Sequence, residues 1–267
     1  PPTPTHALDT QTRVVPLPGQ TSETDRHVGG NYVYAGTGGA APNLQKLKTN
    51  EYVVSKLKDL YDAARLADNL SNISFFSRSL VAGDIEDPLE FDLSTAAASL
   101  AGTSKHVMVQ ASHWSHVVAI ADLCYKIARG EENFRNRPFL SLHVNHAVPP
   151  LRFDPESIKV MMEAVKRGIP VHCNVFGQLG ASSPVTIAGS VAQTLAENLA
   201  GLVAVHILHP DASSIAGPRP MITDLRTGGM AGGAPEQSMA TAAAVQVMRY
   251  WGIPCSCLLY TSPSPRD

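Results

Sequence analysis

The chain has 267 residues, of which 44% are hydrophobic, and a formal net charge of −2. That length and apolar content suit one large folded domain or two small ones and exclude global disorder. No basic stripe marks a nucleic-acid binder, and neither a lysine-rich amphipathic stretch nor a bilayer-length apolar run marks a membrane protein.

The opening PPTPTHALDTQ lacks the apolar centre of a signal peptide. Residues 1–50 are rich in Pro, Gly, Thr and Asn, and YVYAGTGGAAPN reads as a short strand followed by a loop. Residues 51–67 predict an amphipathic helix with Val54, Leu57, Leu60, Tyr61 and Ala64 on one face. A loop with a short strand at 74–77 follows, then a short helix over 92–101.

From Lys105 the pattern becomes regular. Strands are expected at 106–109, 137–145 and 169–175, with helices at 114–129 and 154–167 between them. After the third strand comes a Gly-rich turn ending in Ser183-Pro184. Serine accepts a bond from an orphan backbone N–H, and proline is tolerated at the first helical position, so this pair predicts a helix start. The helix carries Ile187, Val191, Leu195, Leu199 and Leu202 on one face. LVAVHIL (202–208) reads as its end, because no turn signal precedes it. A weak strand at 214–216, a helix over 235–250 and a strand after Gly252-Ile253-Pro254 complete the pattern. The closing LLYTSPSPRD fits neither element type and looks like translated adapter sequence, so residues 258–267 are read as a non-native tail.

Strands alternating with helices imply an α/β fold with a parallel sheet, and the unbroken succession points to a (β/α)8 TIM barrel rather than a doubly wound sheet. About four units fit, so roughly the first half of a barrel is expected over residues 105–257. Residues 1–104 are expected to form an N-terminal extension packed on it.

Chemistry in such a barrel gathers at the C-terminal ends of the strands. Two strands end alike, in His143-x-Asn145 and His172-x-Asn174, and a spacing of two puts both groups on one face. The Gly-rich turn and the helix start after it bring backbone N–H groups together near Gly180 to Val185, a setting for an anion or a partial negative charge. Gly177, Gln178, Gly180, Ser182 and Ser183 belong to this turn. Trp114 and Phe176 stand at strand mouths, and Asp224 and Arg226 lie in the Gly-rich loop PMITDLRTGGMAGGAPE, where they either serve a ligand or pair with each other. Two histidines without a carboxylate at strand-end spacing are a poor metal set. The cysteines Cys124, Cys173, Cys255 and Cys257 form no CxxC pair and suit free thiols in a reducing cytoplasm. No GxSxG, GxxxxGK[ST] or HExxH occurs.

Two long blocks, GQLGASSPVTIAGSVAQTLAENLAG and TDLRTGGMAGGAPEQSMATAAAVQVMRYWGIP, resemble the trimethylamine methyltransferase (MttB) family, and the resemblance runs from about Asn50 to Pro254. It implies a (β/α) barrel that moves a methyl group from a tertiary or quaternary methylamine, such as trimethylamine or glycine betaine, to the Co(I) corrinoid of a partner protein. It leaves a homo-oligomer open. On this implication Trp114 and Phe176 offer aromatic faces to a quaternary ammonium. His143, Asn145, His172, Asn174 and the turn's N–H groups would meet a carboxylate or corrinoid amides. No side-chain nucleophile is required, in keeping with the missing motifs. Two other readings of the residues stand beside it: a metal-dependent barrel hydrolase using His143 and His172, and a corrinoid- or betaine-binding module without catalysis.

Overall fold

A computed structural model describes residues 14–258. The start of the Pro-rich segment and all of the expected non-native tail but Leu258 lie outside the described residues.

The chain opens with a hairpin, β1 (Val14–Leu17) against β2 (Arg26–Gly29). The next strands are β3 (Ala35–Gly36), β4 (Asn43–Gln45) and β5 (Tyr52–Val54), the last two paired antiparallel. This corrects the helix expected from Glu51. Tyr52-Val53-Val54 is a β-branched and aromatic run that pairs as a strand. Helix α1 (Leu57–Asp68) starts only after Lys56, whose N–H donates to Asp59 Oδ2 at 2.9 Å.

Strand β6 (Ile73–Ser77) leads to α2 (Pro88–Gly102), which starts earlier than expected because Asp87 accepts a bond from Glu90 N–H and Pro88 stands at the first turn. Strand β7 (His106–Val109), α3 (Trp114–Ile127), the short α4 (Glu131–Asn136) and β8 (Leu140–Val144) follow. A small β9 (Ala147–Val148) and β10 (Arg152–Phe153) lead to α5 (Pro155–Lys166), capped by Asp154. Then come β11 (Val171–Val175), β12 (Gln178–Leu179), α6 (Ile187–Leu208), β13 (Ser214–Pro218), β14 (Met221–Ile222) and α7 (Pro235–Tyr250). The strand expected after Pro254 is a single parallel bridge, Ala216 with Cys255.

The six-stranded sheet runs β13-β11-β8-β7-β6-β3, and every pairing in it is parallel. Spatial order follows chain order without reversal, which distinguishes a barrel-like sheet from a doubly wound one. Cys255 bridges at β13, where a next strand would add. The sheet begins before Lys105, since β3 and β6 both belong to it. It is the parallel, barrel-like part of the fold expected from the sequence.

Residues alternate between two cores, as the period of two requires. Val107, Val109, Leu140, Leu142, Val171, Cys173 and Ala216 pack outward with the helices. Met108 and Ile215 point to the other side, where Val15 and Leu17 of β1 cover them. The hairpin therefore plugs the concave side at the N-terminal ends of the strands.

Helix α6 is, among the described residues, the one helix long and apolar enough to cross a membrane, with 22 residues and a mean hydropathy of 1.4. This corrects the expectation that no such run exists. Here it is a core helix. Ser190, Thr194, Glu197 and Asn198 are buried within the protein, and Asn198 Oδ1 accepts from Gly217 N–H at 2.8 Å.

Candidate functional site

The concave side of the sheet is polar and layered. In the lower layer His106 of β7, Ser141 of β8 and His172 of β11 form one chain. His106 Nδ1 lies 2.9 Å from the carbonyl of Pro18, which only accepts, so Nδ1 carries the proton. His106 Nε2 must then accept from Ser141 Oγ at 2.8 Å, and Ser141 Oγ accepts from His172 Nε2 at 3.0 Å. His172 Nδ1 is left as a buried lone pair without a hydrogen-bond partner in the described structure. All three side chains are fully buried. Burial pushes His106 down to about 4 and His172 well below the ordinary range.

The upper layer holds His143 and Asn174. Parallel register sets His143 beside His172, with ring centroids 5.0 Å apart. Asn174 Nδ2 donates to His143 Nδ1 at 3.2 Å, which places the imidazole proton on Nε2, 3.1 Å from Ser77 Oγ. Burial holds His143 down to about 3, helped by the charges of Arg219 and Arg78. The ring is neutral at physiological pH. Asn174 Oδ1 is buried without a hydrogen-bond partner.

Of the four groups expected side by side, His143 and Asn174 meet, His172 lies a layer deeper, and Asn145 is exposed beyond the strand end. A cavity of about 350 Å³ opens at this end of β6, β7 and β8, lined by Arg78, Phe91, Gln110, His143 and Asn145. Arg78 Nη2 donates to Gln110 Oε1 at 2.9 Å, and its guanidinium lies 5.6 Å from the Phe91 ring centroid.

The turn after β11 differs from expectation. The N–H groups of Ala181, Ser182 and Ser183 all donate to the carbonyl of Gln178 at 2.9–3.0 Å, and Gly180 N–H donates to that of Ser183 at 3.0 Å. Ser182 Oγ accepts from Gln178 N–H at 3.0 Å. These donors are satisfied inside the turn, so they form no anion spot. Ser183-Pro184 does not cap α6 either. The Ser183 hydroxyl turns inward to Ser190 Oγ at 2.8 Å, and the cap is Thr186, which accepts from Gly189 N–H. The backbone of Gly177 accepts from Met221 N–H at 2.8 Å, and Gln178 pairs with Met221 in the short parallel ladder of β12 and β14.

The aromatic faces also differ. Phe176 already carries the Arg219 guanidinium, 5.4 Å from its centroid. Trp114 is 41% exposed at the start of α3, and its ring lies beside His113. Asp224 and Arg226 pair with each other at 3.4 Å, and Asp224 Oδ1 accepts Arg226 N–H at 2.9 Å. They fix the loop.

Ser77, Arg78 and Arg219 went unnoticed in the sequence. Ser77-Arg78 ends β6 and Arg219 follows β13, so the strand-end reasoning that found His143 and His172 reaches them once those strands are counted in the sheet. Among the described residues no three His, Cys, Asp or Glu side chains gather to hold a metal ion. Cys124 and Cys173 are free and buried, with thiols pushed up to about 12.

The profile of the trimethylamine methyltransferase (MTTB) family matches residues 5–264. Trimethylamine methyltransferase MttB of Methanosarcina barkeri is 29% identical over 219 residues, covering 81% of this chain and 44% of that protein. Trimethylamine methyltransferase MttB of Desulfitobacterium hafniense is 24% identical over 248 residues, covering 93% and 50%. Glycine betaine methyltransferase of Desulfitobacterium hafniense is 23% identical over 228 residues, covering 85% and 47%. The chain spans about half the length of the curated relatives it matches.

Proposed function

Because the chain belongs to the trimethylamine methyltransferase (MTTB) family, we propose that it forms part of an enzyme that demethylates a tertiary or quaternary methylamine. The methyl group passes to the corrinoid of a separate partner protein in the cytoplasm. When bound on its partner, the corrinoid supplies a low-valent cobalt nucleophile.

The observation that carries this reading is the neutral, pre-oriented His143–Asn174–Ser77 layer at the mouth of a barrel-like sheet. Displacement at a methyl carbon needs no protein nucleophile and no proton from the substrate. It needs a fixed pocket that aligns the donor and excludes water. The layer has both ring nitrogens of His143 committed, so it orients a ligand rather than exchanging protons with it. Asn145 and Gln178 add neutral amides at this end of the sheet, a set suited to the amide side chains of a corrin.

The metal-hydrolase reading loses its ligands here. Asn174 and Ser77 engage His143, and His172 is buried in the chain through Ser141.

The test is to incubate the full-length protein with its reduced corrinoid partner and a panel of methylamines. The demethylated amine is then measured by mass spectrometry. Partner-dependent product is expected, and no product from any methylamine would sink the proposal.

A further inference from the structure

One turn of helix α6 holds two loops at the mouth of the sheet. The first is the β8–α5 connection, residues 145–154, which carries the β9–β10 hairpin and lines the cavity of about 350 Å³ through Asn145 and Asp154. The second is the turn from Gln178 to Ser183, which follows Asn174 on the neighbouring strand.

The hairpin has little to hold it by itself. Its strands are two residues long, and Val148, Leu151 and Phe153 are all exposed. Its base is closed by Asp154 N–H, which donates to the His146 carbonyl at 2.9 Å. Asp154 is fixed by capping α5, so the freedom of this loop lies in residues 145–153, and Asn145 is the cavity residue that would shift with it.

The ties to the body of the protein converge on Glu197. Its Oε1 accepts from Leu151 N–H at 2.7 Å, and its backbone carbonyl accepts from His146 Nε2 at 2.9 Å. One turn earlier, Gln193 Nε2 donates to the Ser182 carbonyl at 2.9 Å and to Glu197 Oε1 at 3.2 Å. The hairpin after β8 and the turn after β11 are thereby braced against each other through two side chains of α6. Glu197 is 3% exposed, so water does not replace a bond lost there. Its Oε2 is buried without a hydrogen-bond partner among the described residues. A buried carboxyl with one oxygen unused is a costly way to fill a helix face, and the loops are what it holds.

We infer that Glu197 is a positioning residue for the mouth of the barrel-like sheet. Braced by Gln193, it holds the hairpin in the place where Asn145 completes one wall of the cavity. The inference rests on the methyltransferase reading above and adds to it a residue that acts through the loops. Without Glu197 the hairpin would occupy that place only part of the time, and apparent affinity falls by the same fraction. The loss therefore falls on KM for the methylamine, while kcat of the filled site is kept.

The experiment uses the full-length protein and its reduced corrinoid partner. Turnover of a panel of methylamines, melting temperature and amide hydrogen exchange are measured for wild type, Glu197→Leu, Glu197→Gln and Gln193→Leu. Glu197→Leu keeps the volume and removes the acceptor. It should raise KM for the methylamine about fivefold or more with kcat nearly unchanged. Exchange at Leu151 N–H should rise about tenfold or more, while the amides of β11 stay protected. Glu197→Gln keeps an acceptor for Leu151 N–H and should restore most of both values. Gln193→Leu, at a half-buried position, should move both in the same direction by less. Wild-type KM and Leu151 exchange in Glu197→Leu overturn the inference. So does a lower melting temperature with reduced kcat and unchanged KM, which marks a purely structural role. If Glu197→Leu fails to fold, Gln193→Leu decides, and wild-type values there overturn the inference. If wild type demethylates no amine, the methyltransferase reading falls, while exchange at Leu151 still judges the hold on the hairpin.

Discussion

His143 of β8 and Asn174 of β11 are joined across adjacent parallel strands, with Asn174 Nδ2 3.2 Å from His143 Nδ1. This contact fixes the histidine tautomer and hands the remaining proton to Ser77. It also caps a stack of three histidines built into one sheet, the fully buried His106 and His172 and the partly buried His143. The fold must keep all three uncharged.

That requirement gives a pH dependence. Burial places His106 at about 4 and His143 at about 3, against an ordinary 6.5. Their folded values lie below the unfolded one, so between the two the unfolded chain binds more protons. Stability is complete above the ordinary histidine value and falls as pH drops through and below it. Each histidine contributes a slope of up to about 1.4 kcal/mol per pH unit. Urea unfolding at a pH of about 5.5 should therefore show a midpoint well below that at about 7.5. A flat midpoint across that range would contradict neutral burial.

Ser141 is the hinge of the lower layer, since its hydroxyl both donates to His106 Nε2 and accepts from His172 Nε2. Ser141→Ala removes both bonds without removing either ring. Each stranded ring nitrogen costs about 1–3 kcal/mol when buried. The variant should lose roughly 2–4 kcal/mol in chemical denaturation, far more than the removal of one hydroxyl from a surface site.

Much of this arrangement was legible because β strands advertise burial on both faces. His106-Val-Met-Val109 has no exposed position, and its boundaries were read directly. The helix of residues 235–250 was equally clear, with Pro235 at its first turn. The strand-end rule also found His143 and Asn174. It did not separate them from His172, because a period of two fixes a side chain's face but not its depth along the barrel. Arg78 was hidden for another reason. Its strand lies in a segment whose Pro- and Gly-rich neighbours look like an extension, and only the parallel pairing of β6 with β7 brings it to the site. The turn after β11 misled because Ser183-Pro184 has the chemistry of a cap. Long-range packing on Ser190 outcompeted that local preference.

The two serine and threonine candidates for the α6 cap can be told apart. Thr186 Oγ1 accepts from Gly189 N–H at 3.3 Å, whereas Ser183 bonds Ser190 Oγ. Thr186→Ala should cost about 1 kcal/mol and speed amide exchange in the first turn of α6. Ser183→Ala should leave exchange at Gly189 unchanged. The reverse pattern would restore the Ser183-Pro184 cap.

Gly217 of β13 tests whether the upper layer depends on close strand contact. Its N–H donates to Asn198 Oδ1 at 2.8 Å, which ties β13 to helix α6. A Cβ there would run into Asn174 Oδ1 and stand 3.1 Å from Asn174 Cα. The Asn174 backbone belongs to a central strand and cannot yield cheaply, so the side chain must turn. Gly217→Ala should then cost about 1–3 kcal/mol by overpacking. It should also break the Asn174–His143 bond, because the amide that moves is the one that orients the imidazole. An NMR shift of the His143 ring nitrogens away from the single Nε2–H tautomer would report that loss. If the ring signals and the melting temperature both stay at their wild-type values, the layer is looser than these contacts require.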